Sequence, residues 1–314
     1  MKSNQISSFK CAFKCQPEIF ILPLKKIYTV IAFLGMGLLG SNFTRALIKK
    51  GEKVQVWNRT ASKAKALEAY GAKAFDHVTD AVKGADRIHI TLKDDASVNE
   101  VLEQAREGFK PGVIIIDHTT TSTSGAAERT ELWKKRGYTY IHAPVFMGPP
   151  NALESTGYML ISGDPALIKK LEPELSRMTG KLMNFGPASN TAAGIKLIGN
   201  LFLISLTAAL SDALALAKTL DIPAKEVSNL FESWNPGSMV SGRLKKIMEG
   251  DFSQPSWELS MARKDARLMM EETQKNGVSL TVIPSIAALM DKWISKGHGN
   301  DDWMIISKGV PSEK

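Results

Sequence analysis

The rhythm of apolar positions changes once along this chain, and that change predicts two kinds of architecture. "YTVIAFLG" (28–35) is β-branched and aromatic and ends on glycine. "GVIIIDHT" (112–119) is a continuous apolar run, as a parallel strand buried on both faces requires. "KVQVWNR" (53–59), "DRIHITLK" (86–93) and "YTYIHAP" (138–144) read as further strands. Between them, "SNFTRALIKKG", "ASKAKALEAYG", "ASVNEVLEQARE" and "TSGAAERTELWKKRG" place apolar residues at helical spacing. Basic residues in the last turn and then Gly51 mark the end of the first of these helices. Strands alternating with helices from residue 28 to about 185 predict an α/β, Rossmann-type doubly wound domain.

After "NFGPASN" (184–190) the patterns are almost exclusively helical. "AAGIKLIGNLFLISLTAALSDALALAKTL" suits one helix of about eight turns. Shorter amphipathic segments follow, so an all-α domain led by a long helix is expected. Its core, Leu197 to Leu210, is strongly apolar. Lys196 and Asp212 bracket it below the roughly 20 residues a bilayer needs, and Asn200 lies inside it. The pattern therefore predicts no membrane partner but a helix buried on nearly all sides, a spine that also packs on a second subunit. The expected division is an extension over 1–27, disordered or targeting, a nucleotide-binding domain over 28–190, and a helical substrate and dimerisation domain over 191–314.

Composition narrows the function classes. A chain of 314 residues suits two cores better than one. Its formal charge of +8 suggests a nucleic-acid partner until the charges are located. Lys2, Lys10, Lys14, Lys25 and Lys26 face Glu18 alone in the first 28 residues, which hold half of the excess. The body is only mildly basic, so no nucleic-acid partner is expected. Cys11 and Cys15 also lie in that leader, leaving no thiol framework elsewhere and favouring a reducing, cytoplasmic setting. Organellar import by the basic leader is the alternative. No metal-ligand cluster emerges from the five histidines.

"FLGMGLLG" places Gly35, Gly37 and Gly40 as G-x-G-x-x-G between the first strand and the first helix. A dinucleotide site needs that placement: one glycine for the tight turn, one to admit the pyrophosphate, one for close helix–strand packing. Met36, Leu38 and Leu39 complete the candidate loop, whose helix start offers amides and a dipole to phosphate. At the end of the second strand stand Asn58, Arg59 and Thr60, where an NAD site has a carboxylate for the ribose hydroxyls. Arg59 can stack on adenine and pair with a 2′-phosphate. NADP is the expected cofactor, with NAD as the alternative.

Lys196 and Asn200, four apart on the long helix, share one face. Among leucines and isoleucines they either snorkel to water or face a polar cavity. Lys264–Asp265 by itself reads as a charged helix face. His118 and His142, at strand ends near the expected cleft, read as hydrogen-bonded loop residues, and Phe231 and Trp234 as core packing or a pocket wall.

Four ordered motifs carry a resemblance: "FLGMGLLG", "DHTT", "APVFMG…ALESTG" and "GIKLIGN", with "ARKDARL" supporting them. From about residue 28 to 310 the chain resembles the β-hydroxyacid dehydrogenase family, which includes 3-hydroxyisobutyrate dehydrogenase and glyoxylate/succinic semialdehyde reductases and is related to 6-phosphogluconate dehydrogenase. The resemblance implies an NADP-dependent oxidoreductase, homodimeric or larger, acting on a small carbonyl or β-hydroxy acid. It implies that Lys196 is the general acid/base and that Asn200 holds substrate. It implies that Thr120, Leu92 and Lys264 contact the cofactor. Where the family has "APVSGG" to grip a substrate carboxylate, this chain has Phe146 and Met147 before Gly148. The clamp is then weakened, or rebuilt by backbone amides and Thr119 to Thr121. Otherwise both side chains are core packing, or the pocket takes something bulkier or less anionic. Related imine reductases carry apolar residues here but usually lack the lysine. An imine-reductase-like enzyme and a dinucleotide-binding sensor without turnover are the alternative functions.

Overall fold

The computed structural model describes residues 29–310. The leader, with Cys11 and Cys15, lies outside the described residues. The chain divides after Asn190 into two compact units.

The first unit is built on strands β1 (Val30–Leu34), β2 (Lys53–Trp57), β3 (Lys73–Ala74), β4 (Arg87–Ile90), β5 (Ile114–Asp117) and β6 (Thr139–His142). All pair in parallel, in the order β3-β2-β1-β4-β5-β6. That is the doubly wound order of dinucleotide-binding domains, with its switch point between β1 and β4. Crossovers run through α1 (Leu38–Lys49), α2 (Ala61–Lys65), α3 (Val78–Val82), α4 (Asp95–Ala105) and α5 (Thr123–Lys135). Alternation within β1 explains the continuous apolar run. Ile31 and Phe33 enter the core under α1, while Ala32 and Leu34 enter the opposite core under α3 and α4. Fully burying a side chain such as Phe33 contributes about 2–3 kcal/mol. The second helix is shorter than its pattern predicts, five residues followed by a 3₁₀ turn at Glu68–Tyr70. Only Ala64 and Leu67 in that stretch reach the core, which leaves little to hold a longer helix.

A small second sheet was not legible in the sequence: β7 (Val145–Phe146), β8 (Tyr158–Ile161) and β9 (Lys181–Asn184), with α6 (Pro149–Glu154) and α7 (Pro165–Leu175). Its strands are short, and β7 follows β6 after two residues.

The second unit contains α8 (Thr191–Thr219), α9 (Ala224–Ser233), α10 (Val240–Glu249), α11 (Leu259–Gln274) and α12 (Ile283–Ile294). Two buried carboxylates fasten it. Asp212, on α8, accepts the amides of Thr281, Val282 and Ile283 at 2.7, 2.8 and 3.3 Å and so caps the start of α12. Asp302 accepts from Lys246 Nζ and the Ser256 amide, both at 2.7 Å.

The expectation of an α8 buried on nearly all sides is corrected. Of its 29 residues only Ala192, Ala193, Lys196, Asp212 and Ala217 are buried, while Leu201 and Ile204 are 68% and 71% exposed. Within one chain too few helices surround it to cover every face. Taken whole, it is long and apolar enough to cross a membrane by length and composition, although the 197–210 stretch alone is not. The core-packing reading of α9 also fails: none of its residues is buried, and Phe231 stacks on an exposed Trp234 with ring centroids 6.1 Å apart.

Candidate active site

The glycine turn joins β1 to α1. Gly35 has φ +98°, and a Cβ there would lie 2.1 Å from the Thr91 carbonyl oxygen. A Cβ on Gly40 would meet the Gly35 oxygen at 1.9 Å, so strand and helix approach as closely as the third-glycine argument requires. Gly37 differs: nothing lies within 4 Å of a Cβ built on it. Here backbone faces open space at the start of a 12-residue helix whose first amides have no intrahelical acceptor. A cleft of about 420 Å³ opens at this point, lined by Gly35, Gly37, Arg59, Lys63, Leu92 and Ser97 among others. It holds Arg59 and Lys63 at the β2 end, and Leu92 and Val101 among polar residues at the β4 end. A dinucleotide phosphate fits these groups.

Not every predicted cofactor residue is free to take part. Asn58 Oδ1 accepts the Met36 amide at 2.9 Å, and its Nδ2 donates to the Thr60 carbonyl at 3.0 Å. Asn58 therefore braces the glycine turn from the neighbouring strand. Met36 is buried with that amide engaged, Leu39 packs on the core under α1, and Leu38 is exposed. Arg59 and Thr60 are exposed at the cleft.

The β5 loop makes a similar distinction among three consecutive threonines. Thr119 is buried; its hydroxyl accepts the Leu92 amide at 3.0 Å and its carbonyl accepts His142 Nε2 at 2.8 Å. Thr121 is buried beside the same histidine, and Thr120 is exposed. The Thr119 hydroxyl therefore braces the loop as an acceptor. Gly148 is also committed: its amide donates to Asn151 Oδ1 at 2.9 Å, capping α6. Pro149 and Pro150 follow, with no N–H to offer. Met147 packs on the core under α1, while Phe146 is half-buried in β7. The block thus lacks the serine hydroxyl, and its Gly148 amide is already engaged.

His89, His118 and His142 form core structure. His89 Nδ1 and His118 Nε2 lie 2.9 Å apart, and His118 Nδ1 is 2.7 Å from the Ala143 carbonyl. Burial holds His118 down to about 4, with the Ala143 bond opposing it, and holds His89 well below its ordinary value. Both are neutral imidazoles stacked against Phe33.

In the second unit Lys196 Nζ donates to Asn200 Oδ1 at 3.0 Å. Lys196 is 9% exposed, so it does not snorkel, and burial lowers its pKa from the ordinary lysine value. Lys264 lies on a half-exposed face of α11, paired with Asp265 at 2.8 Å.

Comparison with known proteins decides the family. Residues 30–186 match the NAD binding domain of 6-phosphogluconate dehydrogenase. The chain belongs to that family. Residues 199–311 match the C-terminal domain of NADPH-dependent reductive aminase-like proteins. Glyoxylate/succinic semialdehyde reductase 1 of Arabidopsis thaliana is 27% identical over 290 residues, covering 89% of this chain and 98% of that protein. An imine reductase from Myxococcus stipitatus in complex with NADP+ shares the fold with a TM-score of 0.84 at 21% identity, covering 90% of this chain and all of that one. A reductive aminase from Aspergillus terreus in complex with NADPH4, cyclohexanone and allyl amine shares it with a TM-score of 0.82 at 22% identity, over 90% and 100% of the two chains. This member of the 6-phosphogluconate dehydrogenase family is an NAD(P)-dependent oxidoreductase.

Proposed function

We propose that this oxidoreductase prefers NADP and reduces a small carbonyl compound, or runs the reverse oxidation of a β-hydroxy acid, with Lys196 as general acid/base. The observation that carries the chemistry is the Lys196–Asn200 pair: a desolvated ammonium 3.0 Å from a neutral amide oxygen on one helix face. When bound, a reduced nicotinamide supplies hydride. Lys196 Nζ gives a proton to the carbonyl oxygen and, once neutral, takes one back in the other direction. Burial lowers the proton affinity of Lys196, which eases that exchange. Asn200 holds Nζ and substrate without adding charge. Arg59 and Lys63 favour a 2′-phosphate, and the cleft-lining Leu92 and the exposed Thr120 contact the cofactor, as does Lys264. A second copy of the chain covers the exposed faces of α8, and the enzyme works in the cytoplasm.

A second reading, reduction of an imine or another neutral carbonyl equivalent, is favoured by the block at 146–150. With Phe146 in place of a hydroxyl and the Gly148 amide tied to Asn151, little is left there to hold a carboxylate. The similarity of residues 199–311 to a reductive aminase-like domain supports it.

One set of assays tests these readings. Lys196→Ala should lower kcat by about a hundredfold or more with NADPH affinity nearly unchanged. An unaltered kcat sinks the role of Lys196. Succinic semialdehyde, cyclohexanone and a cyclic imine, each followed by NADPH absorbance, separate the substrate classes. NADPH binding with no turnover on any of them favours the sensor function.

A further inference from the structure

A buried polar chain runs behind the strand-end loops of the first unit. Asp117, the last residue of β5, is wholly buried and accepts the Tyr140 hydroxyl at 2.7 Å and the Thr119 amide at 2.9 Å. The Tyr140 oxygen in turn accepts Arg129 Nε at 2.9 Å. The Arg129 guanidinium, 2% exposed, continues to the Asp95 carboxylate at 2.8 Å and to Asn99 Oδ1 at 3.3 Å. Asp95 closes the chain by accepting the Ser122 amide at 2.9 Å. One side chain from α5 thereby connects the start of α4, the entry to its own helix, the end of β5 and the middle of β6. Gly125 makes room for this: a Cβ there would fall 1.9 Å from the Asp95 oxygen.

Removing Arg129 and Asp117 from water, with Asp95 partly shielded, carries a desolvation cost that apolar packing avoids, so such a chain is a poor source of stability. What it supplies is position. Asp117 holds the Thr119 amide; Thr119 holds the Leu92 amide through its hydroxyl. Leu92 lines the cleft on the far side of the glycine turn from Arg59, because β1 separates β2 from β4. A dinucleotide laid across this switch point with its adenine half near Arg59 extends its other half toward Leu92 and Thr120.

We propose that Arg129 and Tyr140 are positioning residues which, through Asp117 and Asp95, set the shape of the cleft where the nicotinamide half of the cofactor binds. This rests on the dinucleotide reading of the cleft. Burial, with Asp117 beside it, keeps the Tyr140 hydroxyl protonated well above its ordinary range. Burial would raise the Asp95 carboxyl, but the Ser122 amide and Arg129 more than offset it and leave Asp95 a stable anion.

The test uses two ligands on the full chain by calorimetry: NADPH, and 2′,5′-ADP, which carries only the adenine half. Tyr140→Phe deletes one hydroxyl and leaves the ring. It should weaken NADPH about five- to tenfold, a lost hydrogen bond to a charged group, with 2′,5′-ADP changed by less than about twofold. Arg129→Met should widen the gap between the ligands, and Arg129→Lys should recover part of it. Equal losses for both ligands overturn the proposal. So does a lower melting temperature with both affinities intact, since the chain then serves folding alone. If the unaltered protein binds neither ligand, the dinucleotide reading fails first, and the two failures are distinguishable.

Discussion

The two units differ in how far one chain completes them. In the first, both faces of the sheet are covered, and polar groups at the strand ends are matched to one another: Met36 to Asn58, Leu92 to Thr119, Gly148 to Asn151. In the second, a small core around Phe252, Leu259 and Met304 supports helices whose apolar sides are open, and neither α9 nor α10 buries a residue. Hydrophobic periodicity is equally clear in both. Amphipathic pattern therefore reports that a face will be covered, and leaves open which chain covers it. A finished unit suits a rigid cofactor cradle, whereas an unfinished one suits assembly.

The most disruptive way to probe this contrast is at the glycine turn. Gly40→Ala should cost about 3 kcal/mol or more, because its Cβ would meet backbone at 1.9 Å, and calorimetric melting would register the loss. Gly37→Ala should leave the melting temperature in place and weaken NADPH. Equal destabilisation by both substitutions would remove the distinction between a packed glycine and a ligand-facing one.

Acid should separate the units next. His118 is held at about 4 against an unfolded value near 6.5, so the folded state binds fewer protons than the unfolded state. Its contribution is complete above about pH 6.5 and fades as pH falls toward 4, amounting to about 3 kcal/mol. Asp302 behaves differently: burial opposes its ionisation, yet Lys246 and the Ser256 amide hold it at about 2, so its contribution is lost only below the ordinary carboxyl range. Urea unfolding at pH 7.5 and 4.5 should weaken the first unit alone, and His118→Gln should reduce that dependence, leaving the part due to His89 and His142. A second unit that unfolds first at pH 4.5 would contradict the assignment.

The open faces make a prediction of their own. Leu201→Glu combined with Ile204→Glu should halve the mass found by light scattering without unfolding the chain, since both side chains are exposed within it. A wild-type protein that scatters as a monomer would end the assembly argument. Smallest of all, Arg59→Ala should weaken NADPH about tenfold and leave NADH unchanged, read by fluorescence titration. Parallel losses for the two cofactors would show that Arg59 does not read the 2′-phosphate.

Some of this was legible beforehand. The alternation of strands and helices, the glycine turn and the all-helical second unit follow from spacing and from the special geometry of glycine, which act over a few residues. The pairing of Lys196 with Asn200 was legible for the same reason, being one helical turn long. The misread elements are those that depend on distant neighbours. α8 looked like a buried spine because its composition is apolar, although composition carries no information about what surrounds it. Thr119 and Thr120 are indistinguishable in sequence, yet one is buried beneath the Leu92 amide and the other is exposed.

By itself, the sequence determined the alternation of strands and helices, the position of the glycine turn and the helix that carries an amine and an amide on one face. Tertiary structure alone decided which polar groups at the strand ends are already engaged, that Arg129 reaches both Asp95 and Tyr140, and that most of α8 is exposed within one chain. The reason is range: periodicity and turn chemistry are local, whereas hydrogen-bond partners and burial are set by residues brought together from 11 to 30 positions apart in this network.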